Sequence, residues 1–430
     1  MNEQLLSSFS GILGKMEKAI TRLRGLIRQG YSCAGTASGG KDSSCEVFLL
    51  IEAIRRESLE GFTQARHYVT SADTTIENPS MLRHLELFLE DVQAFCAHEN
   101  LPVTAKIAKP SLASQFVTST IGRGTLVRTP ENSVKDGKAK RPCSEDWKIS
   151  PQQRLRKQLA DEVQRDGFRE TITILGTRFE ESTSRALNME RRGENDLEPV
   201  RGPDGYLTYS PIADWTVDDV WEMLGMFTDD KLRPFPAPAS IRTVNRMHEL
   251  YRAGNEGTCG VVLGDGGNKA ACGSRFGCAF CCISGDRDKS MESMIKDPNH
   301  AHLAGLNQFR NYLLATQWDM SKRELVGRTL SKAGYVRVQP DTYSFSHRMA
   351  LLRYLLTLDV LESERAENHE EDLYAGKIPD TEENRELCDA QFEMITPQQL
   401  IAIDFMLGLH HYAPHGHPAL CAWYEVRHLG

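Results

Sequence analysis

In the first half of the chain, short apolar runs alternate with longer segments in which apolar residues recur every three or four positions. The short runs predict buried β-strands at residues 31–36, 67–72, 103–107 and 171–175. The longer segments predict helices, which include residues 45–56, residues 80–100 and a helix from about residue 180. Strands that alternate with helices are typical of an α/β fold, with a parallel sheet and helices on both faces.

The pattern changes towards both ends of the chain. Residues 1–30 predict an N-terminal helix, and residues 31–250 form the predicted α/β domain. Residues 254–285 are crowded with glycine and cysteine and show little periodicity. Residues 286–430 are predicted to be a helical C-terminal region, with helices at 290–295, 306–317, 347–362 and 397–407. Thr396 and Pro397 fit the start of the last helix, as a capping hydroxyl and a first-turn proline.

Composition limits the class of protein. No apolar run approaches the roughly 20 residues of a membrane helix, and the N-terminus lacks the features of a secretory signal. We therefore expect a cytoplasmic protein with no membrane partner. A protein that binds nucleic acid through its own surface alone is usually basic, whereas this chain has a formal charge of −8. If DNA is the substrate, we expect a partner protein to supply part of the DNA-binding surface.

The turn after the first predicted strand has the chemistry of a phosphate-binding loop. This phosphate loop consists of Ser38, Gly39, Gly40, Lys41, Asp42 and Ser43. The glycines let backbone N–H groups face an anion, and the start of the next helix adds partial positive charge. Lys41 can neutralise a phosphate, and Asp42 can hold Mg²⁺ or orient the turn. The spacing is not that of a Walker A loop, and the alternative is a plain glycine turn.

Two other predicted strands also end at polar residues. Asp73 and Glu77 follow the second strand, where they could bind a metal ion or a ribose; equally, they could cap a helix and compensate its dipole. Arg178 follows the fourth strand and could bind phosphate bidentately, oriented by Glu181 and Ser182; the alternative is an unpaired surface arginine. Ligands of such sheets bind at the carboxyl ends of strands, where all three segments lie.

Several segments resemble the N-type ATP pyrophosphatases, and more narrowly the phosphoadenylyl-sulfate reductase superfamily. Besides the phosphate loop they are residues 73–79 (DTTIENP), 141–151 (RPCSEDWKISP), 176–182 (GTRFEES) and 211–221 (PIADWTVDDVW). The resemblance covers residues 30–225. It implies an adenine nucleotide alpha hydrolase-like fold that binds ATP with Mg²⁺ and cleaves it to AMP and pyrophosphate. Lys41, Asp42 and Arg178 are then candidate catalytic residues, and Asp73 and Glu77 join the phosphate loop as candidate cofactor-binding residues.

Five of the eleven cysteines lie between residues 259 and 282. Cys259, Cys272, Cys278 and Cys281 have a spacing that could place four thiolates on one metal centre, either Zn²⁺ or a [4Fe–4S] cluster. Cys259 is separated from Cys272 by a long glycine-rich stretch, and Cys282 directly follows Cys281, so Cys282 is not expected to be a ligand. The alternative is a group of buried or incidental cysteines.

The sequence around these cysteines is similar to the DndC group of DNA phosphorothioation proteins and to the related SspD protein. The similar segments are residues 273–283 (GSRFGCAFCCI), 288–291 (DKSM) and 306–313 (LNQFRNYL). The resemblance implies a [4Fe–4S] cluster on the four cysteines, a DNA substrate, a cysteine desulfurase as sulfur donor and other phosphorothioation-system proteins as partners. The implied function is the ATP pyrophosphatase and sulfurtransferase component, which adenylates a DNA backbone phosphate for replacement by sulfur.

Cys143 stands in a segment that resembles the same superfamily. It could carry a persulfide or lie close to the adenylated substrate, with a thiolate favoured by Arg141 and Lys148. The alternative is a structural thiol.

Three other functions are compatible with parts of this pattern. A phosphoadenylyl-sulfate reductase would share the fold, but Cys421 does not lie in the Glu-Cys-Gly-x-His segment of such enzymes. A tRNA-thiolating enzyme would need a basic RNA-binding domain. A non-catalytic scaffold, in which the metal segment only docks partners, would not need the intact phosphate loop.

Overall fold

The computed structural model describes residues 10–135, 138–139, 142–255, 276–283, 285–410, 412 and 416–429. These residues fall into two compact units, each assembled from three stretches of chain. The first unit takes the described parts of Met1–Ala72, Met81–Ala108 and Gln152–Ser274; the second takes those of Asp73–Ser80, Lys109–Pro151 and Arg275–Gly430. Most of the predicted segment 254–285, including Cys259 and Cys272, lies outside the described residues.

The described residues form ten strands and fourteen α-helices. The strands are β1 (Ser32–Thr36), β2 (His67–Ala72), β3 (Val103–Ala108), β4 (Val134–Lys135), β5 (Lys138–Ala139), β6 (Thr171–Ile174), β7 (Val200–Arg201), β8 (Leu207–Tyr209), β9 (Arg323–Leu330) and β10 (Val336–Tyr343). The helices are α1 (Ser10–Arg28), α2 (Lys41–Leu59), α3 (Pro79–His98), α4 (Pro142–Ser144), α5 (Ser150–Arg165), α6 (Thr183–Arg192), α7 (Val217–Met226), α8 (Ile241–Ala253), α9 (Lys289–Met294), α10 (Ala304–Ala315), α11 (Phe345–Tyr374), α12 (Glu382–Glu386), α13 (Pro397–Leu409) and α14 (Pro418–His428).

The first unit is an α/β structure with a six-stranded sheet in the order β3-β2-β1-β6-β8-β7. All neighbouring strands are parallel except β7, which runs antiparallel to β8. The central strand β1 is buried along almost its whole length, as its apolar sequence predicts. The predicted parallel sheet is therefore confirmed, and its four predicted strands are β1, β2, β3 and β6.

Helices of the first unit flank this sheet and bury their apolar faces. On α1 the buried positions are Ile12, Met16, Ile20 and Leu23, which recur at helical spacing. Phe48 of α2 packs edge-on against Phe227, with ring centroids 4.8 Å apart. The N-terminal helix and the helix after the phosphate loop are thus both present.

The strand order of the sheet changes direction beside β1. From β1 the chain moves outward through β2 and β3 on one side, and it later returns to pair β6 with the other side of β1. In open α/β sheets a crevice forms at such a point, beyond the carboxyl ends of the two strands. The phosphate loop follows β1 and residues 176–182 follow β6, so both line this crevice.

The second unit is mainly helical and is built around the 30-residue helix α11. Leu351, Leu352 and Leu355 of this helix are fully buried. Thr396 caps α13 through a capping box, and Pro397 lies in the first turn, as predicted. The expected C-terminal helices are therefore present. No described helix is long and apolar enough to cross a membrane.

One part of the C-terminal region differs from the helical prediction. Residues Arg323–Leu330 and Val336–Tyr343 form an antiparallel two-stranded ribbon, β9–β10. Most of β10 is exposed, so no alternation of buried and polar positions marks it in the sequence.

Candidate functional site

The phosphate loop connects β1 to α2 through a turn that only glycine fits well. Gly39 has φ +73°, in the left-handed region, and Gly40 is the N-cap residue that precedes α2. A Cβ on Gly40 would lie 3.2 Å from Tyr251 Oη, closer than an ordinary contact. The backbone therefore approaches its neighbours here without a side chain in the way.

Hydroxyl groups hold the loop in shape. Ser38 donates its backbone N–H to Ser43 Oγ at 3.1 Å, and Ser43 Oγ donates to the Gly40 carbonyl at 2.9 Å. The Ser44 N–H bonds to the same carbonyl and continues the helix. The first backbone N–H groups of α2 have no partner within the helix, which makes this end of α2 attractive to an anion.

The charged residues of the loop form a chain with Arg178. Lys41 Nζ lies 3.0 Å from Asp42 Oδ2, and Arg178 Nε lies 2.6 Å from Asp42 Oδ1. Arg178 also donates to the Trp215 carbonyl at 3.2 Å, and only 2% of the residue is exposed. The guanidinium thus fixes one oxygen of the Asp42 carboxylate, while Lys41, which is 9% exposed, pairs with the other oxygen.

The loop that carries Arg178 touches the phosphate loop backbone to backbone. A Cβ on Gly176 would lie only 2.7 Å from the carbonyl oxygen of Asp42, so the approach requires glycine. Burial raises the pKa of Glu181 on the same loop, and the Asp42 carboxylate raises it further against the opposing effect of Arg185. Lys41, Asp42 and Arg178, predicted from separate segments, are therefore in one site.

Two residues of this site were not predicted from the sequence. Tyr251 of α8 accepts the backbone N–H of Lys41 at 3.4 Å, and its ring centroid lies 5.3 Å from Lys41 Nζ. His84 of α3 lies beside Gly39, and burial, helped by the charge of Arg246, lowers its pKa to about 4. His84 is therefore neutral at pH 7. Neither residue belongs to a local pattern, because the contacts join distant parts of the chain.

Asp73 and Glu77 belong to the second unit and have partners there. Asp73 accepts the Thr75 N–H at 2.7 Å and pairs with Lys109 at 2.8 Å, which holds a tight turn in which Thr75 has φ +67°. The helix that follows is capped by a different residue, since Asn78 Oδ1 accepts the Ser80 N–H at 3.0 Å. Asn78, and not Asp73, therefore caps this helix.

Glu77 lies beside one of the predicted metal-binding cysteines. It forms an isolated antiparallel bridge with Cys278, and its carboxylate lies 2.9 Å from Lys148 Nζ. Thr74 Oγ1 donates to Glu77 and lies 3.6 Å from Cys278 Sγ. Burial lowers the pKa of Lys148, but Glu77 together with Cys278 and Cys281 outweighs this effect, so the pKa is raised overall. We call Thr74, Glu77, Lys148 and Cys278 the Cys278 cluster.

Cys278 and Cys281, two of the predicted metal ligands, lie close together in the chain. A turn joins them, in which the Cys281 N–H bonds to the Cys278 carbonyl at 3.0 Å. Burial, with a smaller contribution from Glu77, raises the pKa of the Cys278 thiol to about 12, so a thiolate there requires a compensating cation. Within the described residues no group of three or more His, Cys, Asp or Glu side chains can hold a metal. The four-cysteine metal site therefore stays a prediction, since Cys259 and Cys272 lie outside the described residues.

Cys282 and Cys143 occupy different surroundings. Cys282 is buried, its thiol donates to the Phe280 carbonyl at 3.5 Å, and burial raises its pKa to about 12. Cys143 is half-buried in α4 and lines a cavity of about 200 Å³ within the second unit. The cavity is also lined by Arg123, Arg128 and Trp147.

Comparison with known proteins adds no family assignment. No protein-family model matches the chain, and the search of curated proteins returns no significant match.

Proposed function

We propose that this chain is a cytoplasmic ATP pyrophosphatase that adenylates a DNA backbone phosphate, as the sulfurtransferase component of DNA phosphorothioate modification. The observation that carries the proposal is the meeting of the phosphate loop with Arg178 at the carboxyl ends of β1 and β6. A site of this kind in an adenine nucleotide alpha hydrolase-like fold suits a nucleoside triphosphate. DNA as the acceptor rests on the resemblance of the cysteine segment to the DndC group.

The residues of the site suit a triphosphate with Mg²⁺. The N-terminal amides of α2 would face the β- and γ-phosphates, and Lys41 would turn from Asp42 towards a phosphate oxygen. That movement would leave Asp42 Oδ2 to bind magnesium, while Oδ1 stays fixed by Arg178. Arg178 is therefore a positioning residue, because its guanidinium is already bound within the protein.

In the proposed first step, a nonbridging oxygen of the DNA phosphodiester forms a bond to the α-phosphorus of ATP. The bond from the α-phosphorus to the bridging oxygen of the β-phosphate breaks, and pyrophosphate leaves with the electron pair. Positioning and neutralisation of charge by the loop supply the catalysis. The product is an adenylated DNA phosphate with AMP as its leaving group.

In the proposed second step, the terminal sulfur of a persulfide from a cysteine desulfurase attacks the DNA phosphorus, and AMP departs. A second thiolate then attacks the donor's remaining sulfur, which yields a disulfide and the DNA phosphorothioate. Both electrons for cleavage of the sulfur–sulfur bond come from that second thiol.

Cys278 and Cys281, with the predicted Cys259 and Cys272, would hold a [4Fe–4S] cluster or Zn²⁺. When bound, the cluster would supply electron transfer, whereas zinc would supply only structure. We expect anaerobically purified protein to be brown and to contain iron and sulfide. Cys278→Ser and Cys281→Ser should each lose most of the iron, whereas the neighbouring control Cys282→Ser should keep it. One zinc per chain in place of iron would contradict the cluster.

The central test is the fate of ATP labelled at the α-phosphate. We expect the anaerobic protein, with DNA and desulfurase present, to release AMP and pyrophosphate. Lys41→Ala should lower that rate about 100-fold because it removes a charge from the site of phosphate transfer. Lys157→Ala, at an exposed lysine of α5, is the matched control and should leave the rate unchanged.

Other products would favour the alternatives. Absence of pyrophosphate release with DNA, metal and partners present would favour a scaffold. Release of sulfite from phosphoadenylyl sulfate and thioredoxin would favour the reductase. Either result would overturn the proposed function.

A further inference from the structure

The cavity beside Cys143 is built entirely from one stretch of the second unit, residues 113–147. It occupies about 200 Å³. Its charged and aromatic lining consists of Arg123, Arg128, Asp146, Trp147 and Phe116. The phosphate loop and Arg178 belong to the first unit and do not line this cavity.

The electrostatics of the cavity favour an anion. Arg123 is exposed and Arg128 is half-buried, and neither guanidinium has an ion-pair or hydrogen-bond partner among the described residues. Asp146 is the one acidic residue of the lining, so the lining carries two positive charges and one negative charge. Guanidinium groups with unused donors match the oxygens of a phosphodiester in both charge and shape.

The backbone that carries Arg123 is fixed before any ligand arrives. Arg348, which is 1% exposed, donates from Nε to the Ile121 carbonyl at 2.6 Å and also bonds to the Gly122 carbonyl. The guanidinium of Arg348 therefore holds the two residues that precede Arg123. A preorganised arginine loses less entropy when it binds an anion than one on a mobile loop.

The aromatic wall is also oriented. Trp147 donates its indole N–H to the Ser114 carbonyl at 2.8 Å and meets the Phe116 ring edge-on, with centroids 5.8 Å apart. Phe116 is buried, whereas Trp147 is only half-buried and lines the cavity. An indole held in this way can stack with a nucleobase of any sequence.

We propose that this cavity binds one nucleotide of the acceptor DNA strand, with its phosphodiester between Arg123 and Arg128 and its base on Trp147. The inference rests on the proposed function and adds to it the place at which the strand is held. About 200 Å³ admits part of one nucleotide but not a stacked base pair. The bound nucleotide is therefore single-stranded or turned out of a duplex, and Cys143 lines the cavity that holds it.

The test measures binding of a short fluorescein-labelled single-stranded DNA by anisotropy, without ATP, to the full chain purified anaerobically. Arg123→Ala and Arg128→Ala should each weaken binding about tenfold, and each should reduce the slope of log affinity against log salt by about 0.7. Trp147→Ala should also weaken binding about tenfold through lost stacking, whereas Trp147→Phe should retain most of it. Arg385→Ala, at an exposed arginine of α12, removes the same charge from the second unit and should change neither quantity.

A second measurement uses the unaltered protein. Alkylation of Cys143 by iodoacetamide, followed by mass spectrometry, should be slowed at least tenfold by the oligonucleotide, whereas alkylation of the exposed Cys421 should not change. The proposal would be overturned if both arginine variants kept the DNA affinity and the salt slope of the unaltered protein. It would also be overturned if the oligonucleotide left the alkylation rate of Cys143 unchanged, or if the protein bound only RNA of the same sequence. Pyrophosphate release is measured in a separate assay. If the protein releases no pyrophosphate but still binds DNA through Arg123 and Arg128, the proposed function is rejected and this binding site is retained.

Discussion

Arg178 provides the most direct test of how the candidate site is built. Its guanidinium is almost fully buried and bonds to the Asp42 carboxylate and the Trp215 carbonyl. Arg178→Met keeps the aliphatic stem in place and removes these donors. Loss of one partner of a buried ion pair costs about 3–5 kcal/mol, because the other charge stays buried.

The expected cost for Arg178→Met lies at the lower end of that range. The Asp42 side chain is 17% exposed and keeps Lys41 at 3.0 Å, so part of its charge remains compensated. We expect the free energy of unfolding to fall by about 3 kcal/mol. Arg154→Met, at an exposed arginine of α5, should change it by less than about 0.5 kcal/mol.

A double-mutant cycle separates the interaction between Arg178 and Asp42 from the effect of each substitution on packing. Urea unfolding of Arg178→Met, Asp42→Asn and the double variant should give a coupling free energy of about 1–3 kcal/mol. Because Arg178 is proposed to act through Asp42, the double variant should also release pyrophosphate no more slowly than the slower single variant. Additive effects on stability, or a loss below about 1 kcal/mol in Arg178→Met, would refute the proposed role.

Two further predictions concern packing and pH. Gly176→Ala would press a methyl group onto the Asp42 backbone and should lower the free energy of unfolding, measured in urea, by about 1–3 kcal/mol. The control Gly225→Ala adds a methyl group that meets no atom within 4 Å and should raise it by up to about 1 kcal/mol. Equal effects of the two substitutions would contradict the close approach. Burial raises the pKa of Asp359 to about 7, so the folded chain binds this proton more tightly than the unfolded chain. The unfolding free energy should therefore fall by on the order of 4 kcal/mol between pH 4 and 7 and then level off, and Asp359→Asn should remove this component of the pH profile.

The strands that could be predicted are the longer strands of the sheet. β1, β2 and β6 are buried along most of their length and appear in the sequence as short apolar runs, whereas the edge strand β3 is buried only at its two ends. β7 and β8 have two and three residues, too few for a period to emerge. β9 and β10 form a ribbon whose described side chains are largely exposed, so burial imposes no alternation on them.

Much of the predicted ATP site lies in short contiguous segments, and that part could be predicted from the sequence. The phosphate loop is contiguous, and Arg178 could be placed from the rule that ligands bind where parallel strands end. The partner of Arg178 could not be deduced, because a lone arginine after a strand gives no sign of whether its guanidinium faces a ligand or a carboxylate. Tyr251 gave no signal at all, since 210 residues separate it from the amide that it contacts.

The acidic residues after β2 show why the chemistry of a strand end cannot be inferred from its position alone. Asp73 and Glu77 follow the strand in the way that ligand-binding carboxylates do, yet Asp73 pairs with Lys109, and Glu77 pairs with Lys148 beside Cys278. The bridge between Glu77 and Cys278 joins two parts of the chain 201 residues apart. The Glu77 carboxylate lies in the Cys278 cluster, where it pairs with Lys148. Its position after β2 gives no sign of these neighbours, because they come from distant parts of the chain.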